Sequence, residues 1–334
     1  MKVIPSRLSI LTKRINNERG VCYYCGQCGR SCGVYADFSA SSCLVFPAQR
    51  SSQGRLDLYV NSMVREISVD NDGKANGIIY INKEDNKEYK INAKVVVLAA
   101  SACESARILL NSKSKYHENG IGNSSNMVGK YLHDSTGTNN MAFIPDLMNR
   151  KTYNEDGMGN MHLYTPWWLD NKNLDFPRGY HIEVWGGLGA PAYGFGFNYN
   201  SLNKYFGIEI GGYGDRVREE VKKYYGSTIG FSTRGEAVPN KNNYCEIDPE
   251  KKDKYGIPVL RFNYKWSDYE RKQAKHMNET VKKIVHNIGG HMLWENKGPE
   301  HGLLTPGEVI HEVGTTRMGN DPNTSVVNEY EQLH

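Results

Sequence analysis

Lys94–Ala100 (KVVVLAA) is a continuous apolar run of strand length, and it passes straight into Cys103–Ser112 (CESARILLNS), where Ala106, Leu109 and Leu110 fall on one helical side. A strand that is apolar at successive rather than alternate positions reads as buried on both faces, the condition of a strand inside a parallel sheet. Strand, small-residue turn and helix in direct succession form the layout of a nucleotide-binding βα junction. The segment therefore restricts the chain to the α/β class.

The flanking sequence adds antiparallel elements. Leu56–Asn61, Met63–Val69, Gly77–Asn82 and Glu88–Asn92 read as strands of a meander, with Asn71-Asp72-Gly73 as a hairpin turn, whereas residues 1–55 are irregular. From about 136 to 265 the chain is rich in Tyr, Trp, Gly and Asn. His181–Trp185 (HIEVW) and Tyr244–Ile247 (YCEI) alternate, and the polar turn Asp248–Pro258 closes a hairpin onto VLRFNY. Ser267-x-x-Glu270 is a capping box that opens a helix. Its apolar stripe reads as Tyr269, Met277, Val281, Ile284, Val285 and Ile288, with Gly289 as its stop. The expected architecture is α/β, of mixed α+β character.

At 334 residues there is room for two domains or three. A net charge of +4, scattered rather than in tracts, gives no nucleic-acid footprint. No window approaches the ~18 apolar residues of a membrane span. The first residues contain no apolar core of a secretory signal, and the compartment stays open. Seven cysteines are an odd number and too few for a disulfide framework at this length. Four of them cluster. Cys22-x2-Cys25-x2-Cys28-x3-Cys32 has the spacing of a ferredoxin-type iron–sulfur site, with Gly33 where a Pro commonly follows. Four thiolates so close could also hold zinc. Buried thiols, or disulfides in a tight glycine-rich loop, are the other readings.

Near the end stands His311-Glu312-Val313-Gly314-Thr315-Thr316-Arg317-Met318-Gly319, followed by Asp321-Pro322 and Ser325-Val326-Val327. This string resembles the H-x-x-G-T-x-x-M-G segment of the glucose–methanol–choline (GMC) oxidoreductases, FAD-dependent enzymes that oxidise alcohols. Three further segments are similar to that family in the same order: VVVLAASACESARILLNS, GIGNSSNMVGKYLHD and the hairpin DPEKKDKYGIPVLRFNY. Together they cover about 90–334.

The resemblance implies a partial FAD-binding nucleotide fold with an antiparallel-sheet substrate domain. The expected division is a partial FAD-binding region at 1–135, a substrate domain at 136–305 and a return to the FAD-binding domain at 306–334. It implies FAD as cofactor, with contacts at Val64, Ala99, Ala100 and Ser101, and His311 as the general base. An imidazole suits that role because it exchanges protons near neutral pH. The implied substrate is a small alcohol or sugar; the acceptor stays open between O2, for an oxidase, and a quinone, cytochrome, or electron-acceptor protein or subunit, for a dehydrogenase, to which the cysteine cluster tilts the reading. Trp167, Trp168, Trp185, Tyr193, Phe195 and Phe197 are candidate sugar-stacking residues or ordinary sheet core.

Two departures from the family matter. Its opening G-x-G-x-x-G turn is absent: Gly187–Ala192 is the nearest string, but Pro191 lies inside it and no amphipathic helix follows. The family's closing segment, with a second catalytic residue, has no match before His334. The expectation is a GMC subunit cut at both ends and inactive alone. The reading from another class is a non-catalytic metal-binding or electron-transfer module built around the cysteines.

Overall fold

The computed structural model describes residues 2–6, 8–25, 31–150, 162–166, 173–186, 199–207, 213–297 and 299–334. The described strands are β1 (Ile4–Pro5), β2 (Ser62–Val69), β3 (Ala75–Asn82), β4 (Glu88–Asn92), β5 (Lys130–His133), β6 (Thr136–Phe143), β7 (His162–Pro166), β8 (Tyr180–Trp185), β9 (Thr228–Gly235), β10 (Tyr244–Lys252), β11 (Pro258–Asn263), β12 (His291–Glu295) and β13 (Val313–Thr315). The helices are α1 (Phe46–Ser51), α2 (Ser101–Asn111), α3 (Tyr199–Phe206), α4 (Asp215–Tyr224) and α5 (Asp268–Asn287). The result is a mixed α/β fold whose described sheets are antiparallel. The chain divides into two compact units: Met1–Asp57, Thr136–Glu236 and Asp268–Leu304 form one, and Leu58–Ser135, Ala237–Ser267 and Thr305–His334 the other.

In the first unit, six strands run in the order β1-β7-β8-β9-β6-β12. α5 packs on β6, β9 and β12. Beneath it Met277, Val281 and Val285 meet Ala142, Ile182 and Phe231, all buried. Burial of each such large side chain is worth about 1.5–3 kcal/mol. The stripe expected for this helix is corrected at both ends: Tyr269 and Ile288 are exposed, while Glu270, Gln273 and Asn278 are buried. The sheet face under the helix is itself polar. Thr136 donates to the Gln273 amide oxygen, and the Asn140 amide donates to Asn278 at 2.9 Å. Buried polar groups are tolerated where they pair, so the helix turns a mixed face inward rather than its most apolar one. Gly289, at φ +69°, stops it as expected.

In the second unit, β2-β3-β4 is the expected meander, and a four-stranded sheet runs β11-β10-β5-β13. Asp70 closes the β2–β3 turn by accepting N–H bonds from Asp72 and Lys74. α2 packs on β2, β10, β11 and β13, and Ala106, Ile108, Leu109, Val128, Leu132 and Cys245 lie in its core. The expectation for Lys94–Ala100 is corrected. The segment is extended but pairs with no described strand, and Val95 and Val97 are 76% and 84% exposed. Val96, Leu98 and Ala100 pack on the core. An extended chain turns alternate side chains to opposite faces, and α2 covers only one of them. Leu56–Asn61, also expected as a strand, forms none and is exposed.

Candidate functional site

The motif residues of the second unit converge around β5 and β13. β13 pairs with β5 through Val313–His133 and Thr315–Lys130. The segment carrying His311 thus lies across the strand that ends the GNSSNMVGKYLHD stretch. The His311 imidazole is exposed, and no hydrogen bond reaches its ring among the described residues. Its backbone is fixed: the His311 N–H donates to Asp134 Oδ1 at 2.9 Å.

The glycine and threonine after the histidine have physical reasons. A Cβ on Gly314 would lie 2.0 Å from the Tyr131 carbonyl oxygen, so no other residue fits there. Thr315 is fully buried. Its hydroxyl donates to the Ala102 carbonyl at 2.7 Å, and its carbonyl accepts the Gly129 N–H at 2.7 Å. Gly129 is equally constrained, because a Cβ there would meet the Cys245 carbonyl oxygen at 2.1 Å. Ile310 and Thr315, both β-branched, sit at φ +59° and +61°. Left-handed backbone at such residues costs on the order of 1–3 kcal/mol each and persists only where the surroundings over-determine it. The histidine therefore stands between two strained positions. Arg317 stacks its guanidinium 4.6 Å from the Tyr131 ring centroid.

The expected cofactor contacts lie on the same unit. Ala99 and Ala100 end the extended apolar segment, Ala100 is the N-cap of α2 and Ser101 opens the helix at φ +66°. The N-cap side chain makes no hydrogen bond, while the Ala100 N–H donates to the Ser105 hydroxyl at 3.2 Å. Small residues and an uncapped helix start leave the backbone open to close approach, which fits one edge of a dinucleotide. Val64 lies in β2 opposite Tyr80, at a register irregularity between Val64 and Glu66. In the first turn of α2, burial pushes the Cys103 thiol up to about 11, helped by the carboxylates of Glu312, Glu104 and Asp134.

Asp134 and Tyr264 belong to this arrangement and were not singled out by sequence. Asp134 closes the GNSSNMVGKYLHD stretch, so the signal was present, but its partner lies 177 positions away.

The cysteine segment belongs to the first unit. Cys22 and Cys32 are half-buried, Cys25 is exposed and all three are free thiols; Cys28 lies outside the described residues. The Tyr23 hydroxyl is raised, first by its hydrogen bond to Cys25, then by the charge of Cys25, by burial and by Cys32 and Cys22. Among the described residues no three metal-ligating side chains come together as a site. Trp167, Trp168, Tyr193, Phe195, Phe197 and the string Gly187–Ala192 lie outside the described residues, and Trp185 ends β8 partly exposed.

Residues 6–136 and 239–334 match the two models of the GMC oxidoreductase family. The 2-methyl-1,2-propanediol dehydrogenase of Mycolicibacterium austroafricanum is 28% identical over 83% of this chain and 47% of its own length. The gluconate 2-dehydrogenase flavoprotein of Pantoea cypripedii is 26% identical over 96% of this chain and 51% of its own. The fructose dehydrogenase large subunit of Gluconobacter japonicus is 24% identical, over 87% and 49% respectively. The chain thus spans about half the length of the curated relatives it matches. A solved structure of the formate oxidase of Aspergillus oryzae RIB40, concerned with modification of its FAD, superposes with a TM-score of 0.50 at 12% identity. It covers 82% of this chain and 53% of the oxidase, and it shows a shared fold.

Proposed function

Because the chain belongs to the GMC oxidoreductase family, we propose that it carries the base-bearing part of a FAD-dependent enzyme that oxidises a CH–OH group. The observation behind this reading is the placement of His311: an exposed imidazole on a backbone held by Asp134 before β13 and by Thr315 at its end. FAD, when bound, supplies the two-electron acceptor chemistry. His311 takes the hydroxyl proton at a ring nitrogen and holds it as an imidazolium while the carbon is oxidised. Ala99, Ala100 and Ser101 give the cofactor a close approach to backbone, and Val64 borders it from β2.

We assign the cofactor side to the unit containing these residues and the substrate side to the unit built on the six-stranded antiparallel sheet. The substrate class is a small alcohol, polyol or sugar, as the names of the propanediol, gluconate and fructose dehydrogenases suggest. As a dehydrogenase it passes the electrons to a quinone, a cytochrome or a partner subunit, and the fructose enzyme's designation as a large subunit supports the last. The spacing Cys22-x2-Cys25-x2-Cys28-x3-Cys32 supports a metal relay at the cysteine segment, iron–sulfur ahead of zinc. Anaerobic purification should yield near-stoichiometric iron and sulfide, or zinc. Metal-free protein whose four thiols all react in the native state overturns the relay.

The test of the base is His311→Asn in the flavin-loaded enzyme, this chain joined to a strand–glycine turn–helix unit that holds FAD. Single-turnover flavin reduction should slow by roughly 10²–10⁴-fold, the usual worth of a positioned acid–base group, with flavin content unchanged. A normal reduction rate overturns the assignment.

A further inference from the structure

We propose that Asp134 is the positioning residue of His311: its buried carboxylate holds the backbone that aims the imidazole. This rests on the reading of His311 as the base. Asp134 is 2% exposed. Its Oδ1 accepts two N–H groups, that of His311 at 2.9 Å and that of Ser135 at 2.7 Å. Its own N–H donates to the Tyr264 hydroxyl at 3.0 Å, and Tyr264 packs edge-on against Trp266. A chain of contacts therefore runs from the residues after β11 through the end of β5 to the residue that performs the chemistry.

Two features separate this carboxylate from an ordinary loop tether. The residue before His311, Ile310, is β-branched, left-handed at φ +59° and 74% exposed, so its own packing does not hold that conformation. The Asp134 bond to the next N–H acts where the strain has to be held, whereas Thr315 anchors only the far end of β13. The second feature is Asp134 Oδ2, which is buried and has no hydrogen-bond partner among the described residues. Leaving a buried carboxylate oxygen unpaired is costly. The site keeps a carboxylate, and one of the two bonds it accepts goes to the segment that carries His311.

Three variants and one reference are compared in the flavin-loaded enzyme: Asp134→Ala, Asp134→Asn, Tyr264→Phe and His311→Asn. The readouts are single-turnover flavin reduction, substrate KM, flavin retained after desalting, and hydrogen exchange at the His311 amide with and without flavin. Asp134→Ala should reduce flavin roughly 10²-fold more slowly, the scale of an ångström-sized misplacement, with KM and flavin content nearly unchanged. Its His311 amide should exchange at least about tenfold faster, because a bond to a buried acceptor has been lost. Asp134→Asn keeps an acceptor oxygen and should recover most of both losses. Tyr264→Phe leaves the carboxylate intact and should fall between, which keeps the test open if Asp134→Ala does not fold. A normal reduction rate in Asp134→Ala, a change confined to KM, or unaltered exchange at His311 overturns the proposal. If His311→Asn reduces flavin normally, the base assignment fails, while the exchange result still decides whether Asp134 holds the segment.

Discussion

Arg107 shows how much one side chain can carry in this fold. It is 9% exposed, on the inner side of α2, and it serves three groups of the β10–β11 turn. Its guanidinium donates to the carbonyls of Pro258 at 2.8 Å and Ile257 at 3.1 Å and pairs with Asp253 at 2.7 Å. Asp253 in turn accepts the N–H groups of Tyr255 and Ile257. Burial raises the Asp253 carboxyl, but the Arg107 bond and these backbone bonds outweigh it and leave it below its ordinary 3.8. Its contribution to stability is therefore present above about pH 4 and lost as pH falls through the lowered value. Removing one partner of such a pair strands the other, so Arg107→Ala should cost about 3 kcal/mol in urea unfolding at neutral pH. Arg107→Lys keeps the charge but not the planar fork and should recover less than half. If both variants unfold like the parent protein, the pair is ornamental. The sequence placed Arg107 and Asp253 in two separate motif stretches, and nothing in either announces that they meet.

At the scale of elements, α5 shows which part of the fold was legible. Met277, Val281 and Val285 recur at fourfold spacing, and the sequence placed them on the inner face correctly. The polar part of that face is Glu270, Gln273, Asn278 and Thr280, and the last three hydrogen-bond to groups on other elements. Hydropathy cannot see such partners, so it substituted Tyr269 and Ile288. The candidate site divides the same way. His311, Gly314 and Thr315 were visible as a string, whereas Asp134 and Tyr264 matter through contacts across the fold. α5 also carries a titration that can be measured. His276 shares a 2.7 Å hydrogen bond with the buried Tyr180 hydroxyl and packs edge-on against Phe176. Burial holds its pKa below 6.5; Lys283 pushes the same way, and Glu279 and Asp175 oppose it. A histidine lowered in the folded state binds its proton more readily unfolded. Stability is then whole above about pH 6.5 and declines as pH falls through the lowered value. The urea midpoint should be lower at pH 5.5 than at pH 7.5, and His276→Gln should shrink that difference. A gap of the same size in the variant would place the titrating group elsewhere.

For the whole molecule, the extended segment Lys94–Ala100 decides the expected behaviour. Its inner side chains pack on the core of the second unit, while Val95 and Val97 stand in solvent and no described strand pairs with its backbone. Unpaired edges with apolar side chains bind other strands readily. Holding the pyrophosphate of FAD requires backbone N–H groups at a helix start after a glycine turn. The α2 start offers small residues, but its first turn carries Glu104, which opposes an anion. We therefore expect the 334-residue chain alone to retain no stoichiometric FAD through a desalting column and to oxidise no alcohol or sugar. It should bind a hydrophobic dye while keeping the far-ultraviolet signature of its antiparallel sheets and α5, whose pairings are complete without the segment. Supplying a strand–glycine turn–helix unit, such as those of flavoproteins of this family, should lower dye binding and raise flavin retention together, because one event covers Val95 and Val97 and provides the phosphate site. If the chain alone elutes yellow at one flavin per molecule, another phosphate-binding turn exists in it, and the exposed valines have no part in cofactor binding.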